Sequence, residues 1–223
     1  MTPFLKQMSL GPMQNYVYLI GDPNTHEAAV VDPAWNVPAI LQMANDSGYR
    51  ITHVLLSHGH YDHINGAEEI VASTDATLCA QKSELEFIAE GIGGHVIPRS
   101  SLKKTFSGDS VSVGTMGVHF IPTPGHTPGA QCIYMKGDHG SDGILFTGDI
   151  LFVGTIGRCD FPYSSPKDLF QSLEKIKNLD DETVFYPGHD YGHRPFNTIG
   201  NEKKKNPYLL AKSLEQFLQM VRH

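Results

Sequence analysis

The segment LLSHGHYDH at positions 55–63 places four side chains that can bind metal within six residues. His58 and His60 are two residues apart, so both imidazoles point to one side of an extended segment. Asp62 and His63 follow directly, and a tight turn could aim them at a neighbouring point. The alternative interpretation is a histidine-rich surface loop. A metal site requires further ligands elsewhere in the chain, whereas a surface loop does not.

Three later segments share one arrangement, in which an apolar run enters a short turn and then presents a histidine or an aspartate. HFIPTPGH ends at His126, ILFTGD at Asp149 and VFYPGH at His189. We expect these strand ends to lie with that of HVLLSHGH along one edge of the fold, because rigid elements can hold the side chains there. The sequence therefore predicts two adjacent clusters of metal donors.

The donor types indicate which metals suit such a site. Imidazole and carboxylate groups suit zinc, iron and manganese. Cys79, Cys132 and Cys159 are odd in number and widely spaced, which favours neither a disulfide framework nor a cysteine-rich structural zinc. We predict two divalent metal ions, with zinc favoured and iron or manganese as alternatives.

Isolated histidines receive no role in this prediction. A single histidine is more often a surface or hydrogen-bonded residue than a metal ligand. The residues left out on this ground are His26, His53, His119 and His139.

Composition limits the class of protein. The 223 residues are 40% hydrophobic, enough for one sizeable core, and we treat 1–223 as a single domain. A formal net charge of −7 argues against nucleic acid as a partner.

The first twenty residues lack a secretion-signal pattern, and no segment approaches a span of about 20 apolar residues. We expect a cytoplasmic protein without a membrane partner, and the oligomeric state stays open.

The hydrophobic pattern predicts a layered α/β fold. Short apolar and β-branched runs closed by turn residues predict strands: YVYLIG, AAVVDP, HVLLS, TLCA, VSV, VHFIPTPG, QCIYM, ILFTGD and TVFYPG. SSPKDLFQSLEKIKNL predicts a helix capped by Ser165, NPYLLAKSLEQFLQMV a second one beginning at Asn206 and Pro207, and SELE at 83–86 can form a capping box. This pattern favours two packed sheets covered by helices.

The order HxHxDH, His, Asp, His resembles that of the metallo-β-lactamase superfamily. The resemblance extends from NYVYLI to VFYPGH and implies a four-layer αβ/βα sandwich, two mixed β-sheets flanked by helices, with a metal pair at one edge. It implies three roles for the seven residues. The first-site ligands are His58, His60 and His126, the second-site ligands are Asp62, His63 and His189, and Asp149 bridges both ions.

Within the superfamily, four segments resemble glyoxalase II, the hydroxyacylglutathione hydrolases, in a short form: SHGHYDHINGA, IPTPGHTPG, LFTGDILFVGTIGRCDFP and YPGHDYG with NEKKKNPYL. This resemblance implies hydrolysis of S-acylglutathione thioesters such as S-lactoylglutathione by a hydroxide shared between two ions. Asp62 and Asp149 are the candidate catalytic carboxylates.

Two other functions stay open. Persulfide dioxygenases also resemble the chain, including GRCDF at 157–161, and hold one iron through two histidines and one aspartate, here His58, His126 and Asp149. A fold member without activity, used for binding a partner, is the third possibility. The complete donor set argues against it, because seven polar groups at one edge are costly to keep.

Candidate substrate-binding residues lie in loops after the predicted ligands. Arg158 suits bidentate recognition of a glutathione carboxylate. The run Lys203, Lys204 and Lys205 is a second candidate, with a solvated surface as the alternative interpretation. Tyr191 either lines the pocket or packs.

Overall fold

The computed structural model describes residues 2–89, 102–137 and 142–221. In these residues the first sheet contains six strands whose spatial order follows the chain: β1 (Phe4–Leu10), β2 (Asn15–Asp22), β3 (Glu27–Val31), β4 (Arg50–Leu55), β5 (Thr77–Gln81) and β6 (Leu102–Thr105). The first three strands pair antiparallel, and the pairs from β3 to β6 are parallel. The sheet is therefore mixed.

The second sheet is also mixed, and its strands are not in chain order. From one edge to the other they are β14 (Asn197–Thr198), β13 (Val184–Pro187), β10 (Ile144–Gly148), β9 (Gln131–Met135), β8 (Met116–Pro122) and β7 (Ser110–Val113). β10 and β13 are parallel, and the other neighbouring pairs are antiparallel. A small hairpin of β11 (Leu151–Phe152) and β12 (Thr155–Ile156) follows β10.

Helices cover both outer faces. Four follow strands of the first sheet: α1 (Val37–Asp46), α2 (Tyr61–Ile64), α3 (Ala67–Thr74) and α4 (Lys82–Ala89). Three belong to the second half of the chain: α5 (Pro166–Lys177), α6 (Ile199–Lys205) and α7 (Leu214–Met220).

The core lies in three apolar layers, as strand β2 illustrates. Every residue of β2 is buried because both faces of the sheet are covered. Val17 and Leu19 pack into the cluster that includes α1 and α3, whereas Tyr18 and Ile20 pack into the cluster between the two sheets. A third cluster joins the second sheet to α5 and α7. The order helix, sheet, sheet, helix confirms the predicted four-layer sandwich.

Helix α5 agrees with its sequence pattern. Ser165 caps it by accepting from the Asp168 backbone N–H, and Pro166 occupies the first turn. Leu169, Leu173 and Ile176 are buried on its inner face, as helical spacing requires.

The helix predicted to begin at Asn206 is wrong. Asn206 ends α6, and its side-chain amide donates to Glu202 Oε2 at 2.9 Å and to the Thr155 carbonyl at 3.1 Å. The final helix, α7, begins after Ser213, whose hydroxyl accepts from the Gln216 N–H. The sequence pattern was ambiguous because asparagine and proline occur both where helices begin and where they end. The contact of Asn206 with Thr155 shows which applies here, and it joins residues far apart in sequence.

Tyr18 provides a test of how the two sheets are joined beside the ligand-bearing turns. Its buried hydroxyl donates to the Pro187 carbonyl at 2.6 Å. Tyr18→Phe should lower the free energy of unfolding by about 1–3 kcal/mol, because the carbonyl loses its partner. Tyr49→Phe, at a half-buried ring stacked on Phe4, is the control in chemical denaturation. Equal effects of the two substitutions would contradict the assigned role.

Candidate metal centre

The ends of four strands bring the predicted ligands together. His58 follows β4 of the first sheet, and His126, Asp149 and His189 follow β8, β10 and β13 of the second. Backbone bonds join these turns: Gln131 N–H donates to the Ser57 carbonyl at 2.8 Å, and Gly188 N–H to the Gly148 carbonyl at 2.9 Å. The site therefore depends on the two sheets packing in one relative position.

Three histidines converge in a first group. His60 Nδ1 lies 3.1 Å from His58 Nε2 and 3.0 Å from His126 Nε2. Two nitrogens bound tetrahedrally to one zinc, each at about 2.0–2.1 Å, are about 3.4 Å apart. The rings would need to move by only a few tenths of an ångström to hold an ion.

A second group forms beside the first. His63 Nε2 lies 3.1 Å from His189 Nε2, and Asp62 Oδ2 lies 3.5 Å from the former and 3.4 Å from the latter. Asn15 Nδ2 donates to Asp62 Oδ2 at 2.8 Å, which orients this carboxylate. All three members are buried.

Asp149 faces both groups. Its Oδ2 is 3.5 Å from His126 Nε2 and 3.4 Å from His189 Nε2, while Oδ1 is 3.5 Å from His63 Nε2. Among the described residues, buried Oδ1 has no hydrogen-bond partner, which a cation would supply. Burial would raise the pKa of Asp149, but His63 and the other histidines hold it well below its usual value.

At His63 the local field favours positive charge, whereas burial lowers the pKa values of His58, His60 and His126. Burial lowers the pKa of His63, but Asp149, Asp32 and Asp62 outweigh it and raise this pKa to about 9. A group that is protonated so readily sits where a cation is stabilised. The donor set and the field together make this cluster capable of binding metal ions.

Hydrogen bonds outside the cluster set the ring tautomers. His126 Nδ1 donates to the Arg158 carbonyl at 2.7 Å, and His189 Nδ1 to the Met13 carbonyl at 2.9 Å. Since a carbonyl only accepts, each Nδ1 carries the proton and each Nε2 presents a lone pair to the cluster.

Asp32 acts in the same way on two further histidines. It accepts from His63 Nδ1 at 3.2 Å and from the Ser57 hydroxyl at 2.5 Å. Ser57 is then free to accept from His58 Nδ1 at 2.9 Å. His58 therefore also turns its Nε2 lone pair inward, and His63 turns its Nε2 toward the cluster.

Glycines let the strand ends approach one another. Gly148 has a φ of +48°, and a Cβ there would lie 2.3 Å from the Ser57 hydroxyl oxygen. At Gly188 a Cβ would lie 2.5 Å from Asp149 Oδ1. A larger residue would displace Ser57, which supports His58, at the first position and the ligand Asp149 at the second, which explains Gly148 of TGD and Gly188 of YPGH.

Comparison with known proteins agrees with this geometry. The family model described as "Metallo-beta-lactamase superfamily" matches residues 10–189. The chain belongs to this superfamily. The fold and the predicted resemblance are thereby confirmed.

Relatives within the superfamily have different functions. The chain is 31% identical over 205 residues to "Probable polyketide biosynthesis zinc-dependent hydrolase BaeB" of Bacillus velezensis, covering 92% of this chain and 85% of that protein. A hydroxyacylglutathione hydrolase of Maricaulis maris is 35% identical over 79% of this chain and 62% of its own length. The crystal structure of ETHE1 from Myxococcus xanthus has a TM-score of 0.84 and 31% identity, covering 99% of this chain and 90% of that one.

Arg158 lies beside the metallo-β-lactamase centre with its guanidinium already engaged. Nε and a terminal nitrogen donate to the two carboxylate oxygens of Asp160, each at 2.9 Å. The guanidinium carbon is 4.3 Å from the Phe161 ring centroid. Both charged side chains are mostly exposed, so the pair is weak enough for a ligand to displace. A role for Arg158 in substrate binding stays a prediction.

Tyr191 and the lysine run occupy different places. Tyr191 is exposed, and its ring stacks on His189 with centroids 4.6 Å apart, which puts it at the rim of the site. Lys203 instead binds Asp181, at 2.6 Å. Asp181 precedes β13 and His189 follows it, so Lys203 lies at the opposite end of that strand. The prediction that Lys203 contacts substrate is therefore unsupported; Lys204 and Lys205 are exposed on the same helix.

Those histidines left out of the prediction that the structure describes lie outside the metal centre. His26 and His119 are exposed, and half-buried His53 has its pKa lowered by burial. His139 falls outside the described residues. The three cysteines are buried.

Sequence reasoning missed the residues that support the ligands. Asp32 ends the predicted strand AAVVDP, so the strand-end pattern that found Asp149 could also have found it. Tyr163, whose hydroxyl lies 2.9 Å from His60 Nε2, and Asn15 carry no such signal.

In the described residues, no helix combines the length and apolarity needed to cross a membrane.

Asp149 tests the arrangement directly. Asp149→Ala should lower metal content at both groups, because the carboxylate faces each of them, and metal per chain after loading and desalting measures the effect by elemental analysis. Asp46→Ala, at the exposed end of α1, is the control. Retention of the full metal content by Asp149→Ala would exclude the bridging role.

Proposed function

We propose that the chain is a metal-dependent hydrolase of thioesters of the S-acylglutathione type, with two divalent ions at this centre. His58, His60 and His126 would hold one ion, and Asp62, His63 and His189 the other. The observation that carries the proposal is the position of Asp149, whose carboxylate faces both groups at 3.4–3.5 Å.

The residues of the chain prepare the site for this reaction. When bound, two divalent ions would lower the pKa of a shared water toward about 7 and stabilise charge on a carbonyl oxygen. Asp32 and the carbonyls of Met13 and Arg158 keep imidazole lone pairs turned inward. Asn15 orients Asp62. A thiol leaving group with a pKa of about 8.5 departs as thiolate, so no strong proton donor is required.

Zinc is the metal that we propose. The donors are imidazole and carboxylate, a set that also suits iron and manganese. The relative from Bacillus velezensis is named as zinc-dependent, which supports the choice.

The thioester assignment is supported by the likeness to a hydroxyacylglutathione hydrolase at 35% identity.

We also propose that 1–223 acts as one domain, because both sheets supply ligands to one cluster. A small-molecule substrate and a cytoplasmic location, without nucleic-acid or membrane partners, complete the proposal.

Persulfide dioxygenase activity is the second candidate. A human protein named persulfide dioxygenase ETHE1 is 29% identical to this chain over 98% of this chain's length, and this likeness favours it. One iron would then be held by His58, His126 and Asp149. The position of His60 Nδ1, within 3.1 Å of both histidine nitrogens, argues against a site of only these three ligands.

Paired assays separate the two functions. The protein is loaded with zinc or, under anaerobic conditions, with ferrous iron, and assayed with S-lactoylglutathione and with glutathione persulfide plus oxygen. We expect two ions per chain and thioester cleavage. One iron per chain with oxygen consumption, and no thioester cleavage by either form, would overturn the proposal in favour of the dioxygenase.

Arg158→Ala should raise KM for S-lactoylglutathione about three- to tenfold with little change in kcat, because an exposed charge pair contributes modestly to binding. S-lactoyl-N-acetylcysteamine lacks the glutathione carboxylates, and its KM should not change. Asp160→Asn should lower KM for the glutathione ester, since it frees the guanidinium. Lys136→Ala, at an exposed position after the end of β9, is the matched loss of one surface cation, and an effect equal to that of Arg158→Ala would rule out a specific grip.

A further inference from the structure

Glu84 is a buried carboxylate that the proposed reaction does not use. It lies in the first turn of α4 and is 1% exposed. Three groups donate to it: Gly59 N–H to Oε1 at 2.6 Å, and the Thr127 hydroxyl and Gly129 N–H to Oε2 at 2.9 and 2.8 Å. Each oxygen thus binds a different loop.

The two loops carry the first group of ligands. Gly59 lies between His58 and His60, in the turn after β4 of the first sheet. Thr127 follows His126 directly, in the turn after β8 of the second sheet. One carboxylate therefore connects the two sheets at the point where their histidines meet.

Helix α4 is also packed tightly against the second loop. A Cβ at Gly129 would lie 2.2 Å from the backbone nitrogen of Glu84. The backbone, and not only the side chain, is therefore placed against the His126 turn. This contact limits how far the carboxylate can shift.

The second group of ligands is held by other residues. Asp62 accepts from Asn15, His63 donates to Asp32, and His189 donates to the Met13 carbonyl. Glu84 has no hydrogen bond to these ligands within the described residues. Its effect should therefore be confined to one half of the centre.

We propose that Glu84 is a positioning residue that sets the spacing between the His58–His60 turn and His126, and so determines the metal affinity of the first group. This inference rests on the proposed metal-dependent function. Supporting groups of this kind commonly change metal affinity 10- to 100-fold, because they orient the ligands.

Burial makes this carboxylate costly. Desolvation raises the pKa of Glu84 to about 7, against the three hydrogen bonds, which lower it. An acid whose pKa is raised by folding stabilises the protein less as the pH rises. Glu84 therefore contributes less to stability at neutral pH than at low pH.

Glu202 is a matched residue elsewhere in the fold. It is also 1% exposed and accepts from Gly154 N–H at 2.9 Å and from the side-chain amides of Asn197 and Asn206 at 2.6 and 2.9 Å. None of these partners neighbours a predicted ligand in sequence. Removing Glu202 should cost comparable buried hydrogen bonds without moving the histidine turns.

Cobalt titration of metal-free protein, followed by visible absorption, tests the proposal without any substrate. His189→Ala leaves the first group complete, and His126→Ala leaves the second. Adding Glu84→Ala should weaken cobalt binding at least tenfold in the His189→Ala chain and less than threefold in the His126→Ala chain.

Glu84→Gln guards against a folding defect. Glutamine keeps the size of the side chain but has only one accepting oxygen, so either Gly59 or the Thr127–Gly129 turn loses its acceptor. In the otherwise wild-type chain, Glu84→Gln should weaken only one of the two zinc affinities measured by chelator competition. Glu202→Ala and Glu202→Gln should leave both affinities within threefold of wild type.

Three results would overturn the proposal: wild-type affinities in both Glu84 variants, equal weakening of both affinities, or the same loss in the Glu202 variants. A wild-type chain that binds no metal would remove the basis of both the proposed function and this inference. A wild-type chain that binds two ions but cleaves no thioester would contradict only the proposed function.

Discussion

Imidazole lone pairs that face one another at about 3 Å are the constraint on which the site depends. The outward ring nitrogens of His58, His126 and His189 are committed as donors, so the inward nitrogens of these rings, when neutral, have no proton to share. Such lone pairs repel unless a positive charge lies among them. The raised pKa of His63 and the Asp149 oxygen that has no hydrogen-bond partner among the described residues both agree with a cation at this place.

The layered fold supplies the rigidity that this arrangement requires. Ligands come from both sheets, so any sliding of one sheet past the other would separate the histidines. Tyr18 and the interior cluster resist that movement from within, while hydrogen bonds between the turns resist it at the edge. Buried polar groups such as Glu84 and Asp32 lower stability unless they are fully bonded. Both carboxylates accept hydrogen bonds on each oxygen.

Under the proposed function, substrate choice would depend on a different part of the molecule. The metal donors are embedded in strand ends, whereas Arg158, Phe161 and Tyr191 lie in the loops around them. These loops can vary without disturbing the ligands. This separation is consistent with relatives whose names indicate a hydrolase in one case and a persulfide dioxygenase in another. In the absence of a ligand, the ion pair with Asp160 partly neutralises the positive charge of Arg158 at the rim of the site.

Local patterning determined the elements and the donors. Short apolar and β-branched runs found the main strands, helical spacing found α5, and apolar runs ending in His or Asp found His58, His126, Asp149 and His189. The edge strands β1 and β14 and the end of α6 at Asn206 were not found, because pairing and distant contacts decide them. Only the tertiary structure decided that Asp32, Tyr163 and Glu84 support the ligands and that Lys203 lies away from them. Those contacts join residues far apart in sequence, and a sequence pattern reports only what neighbours along the chain determine.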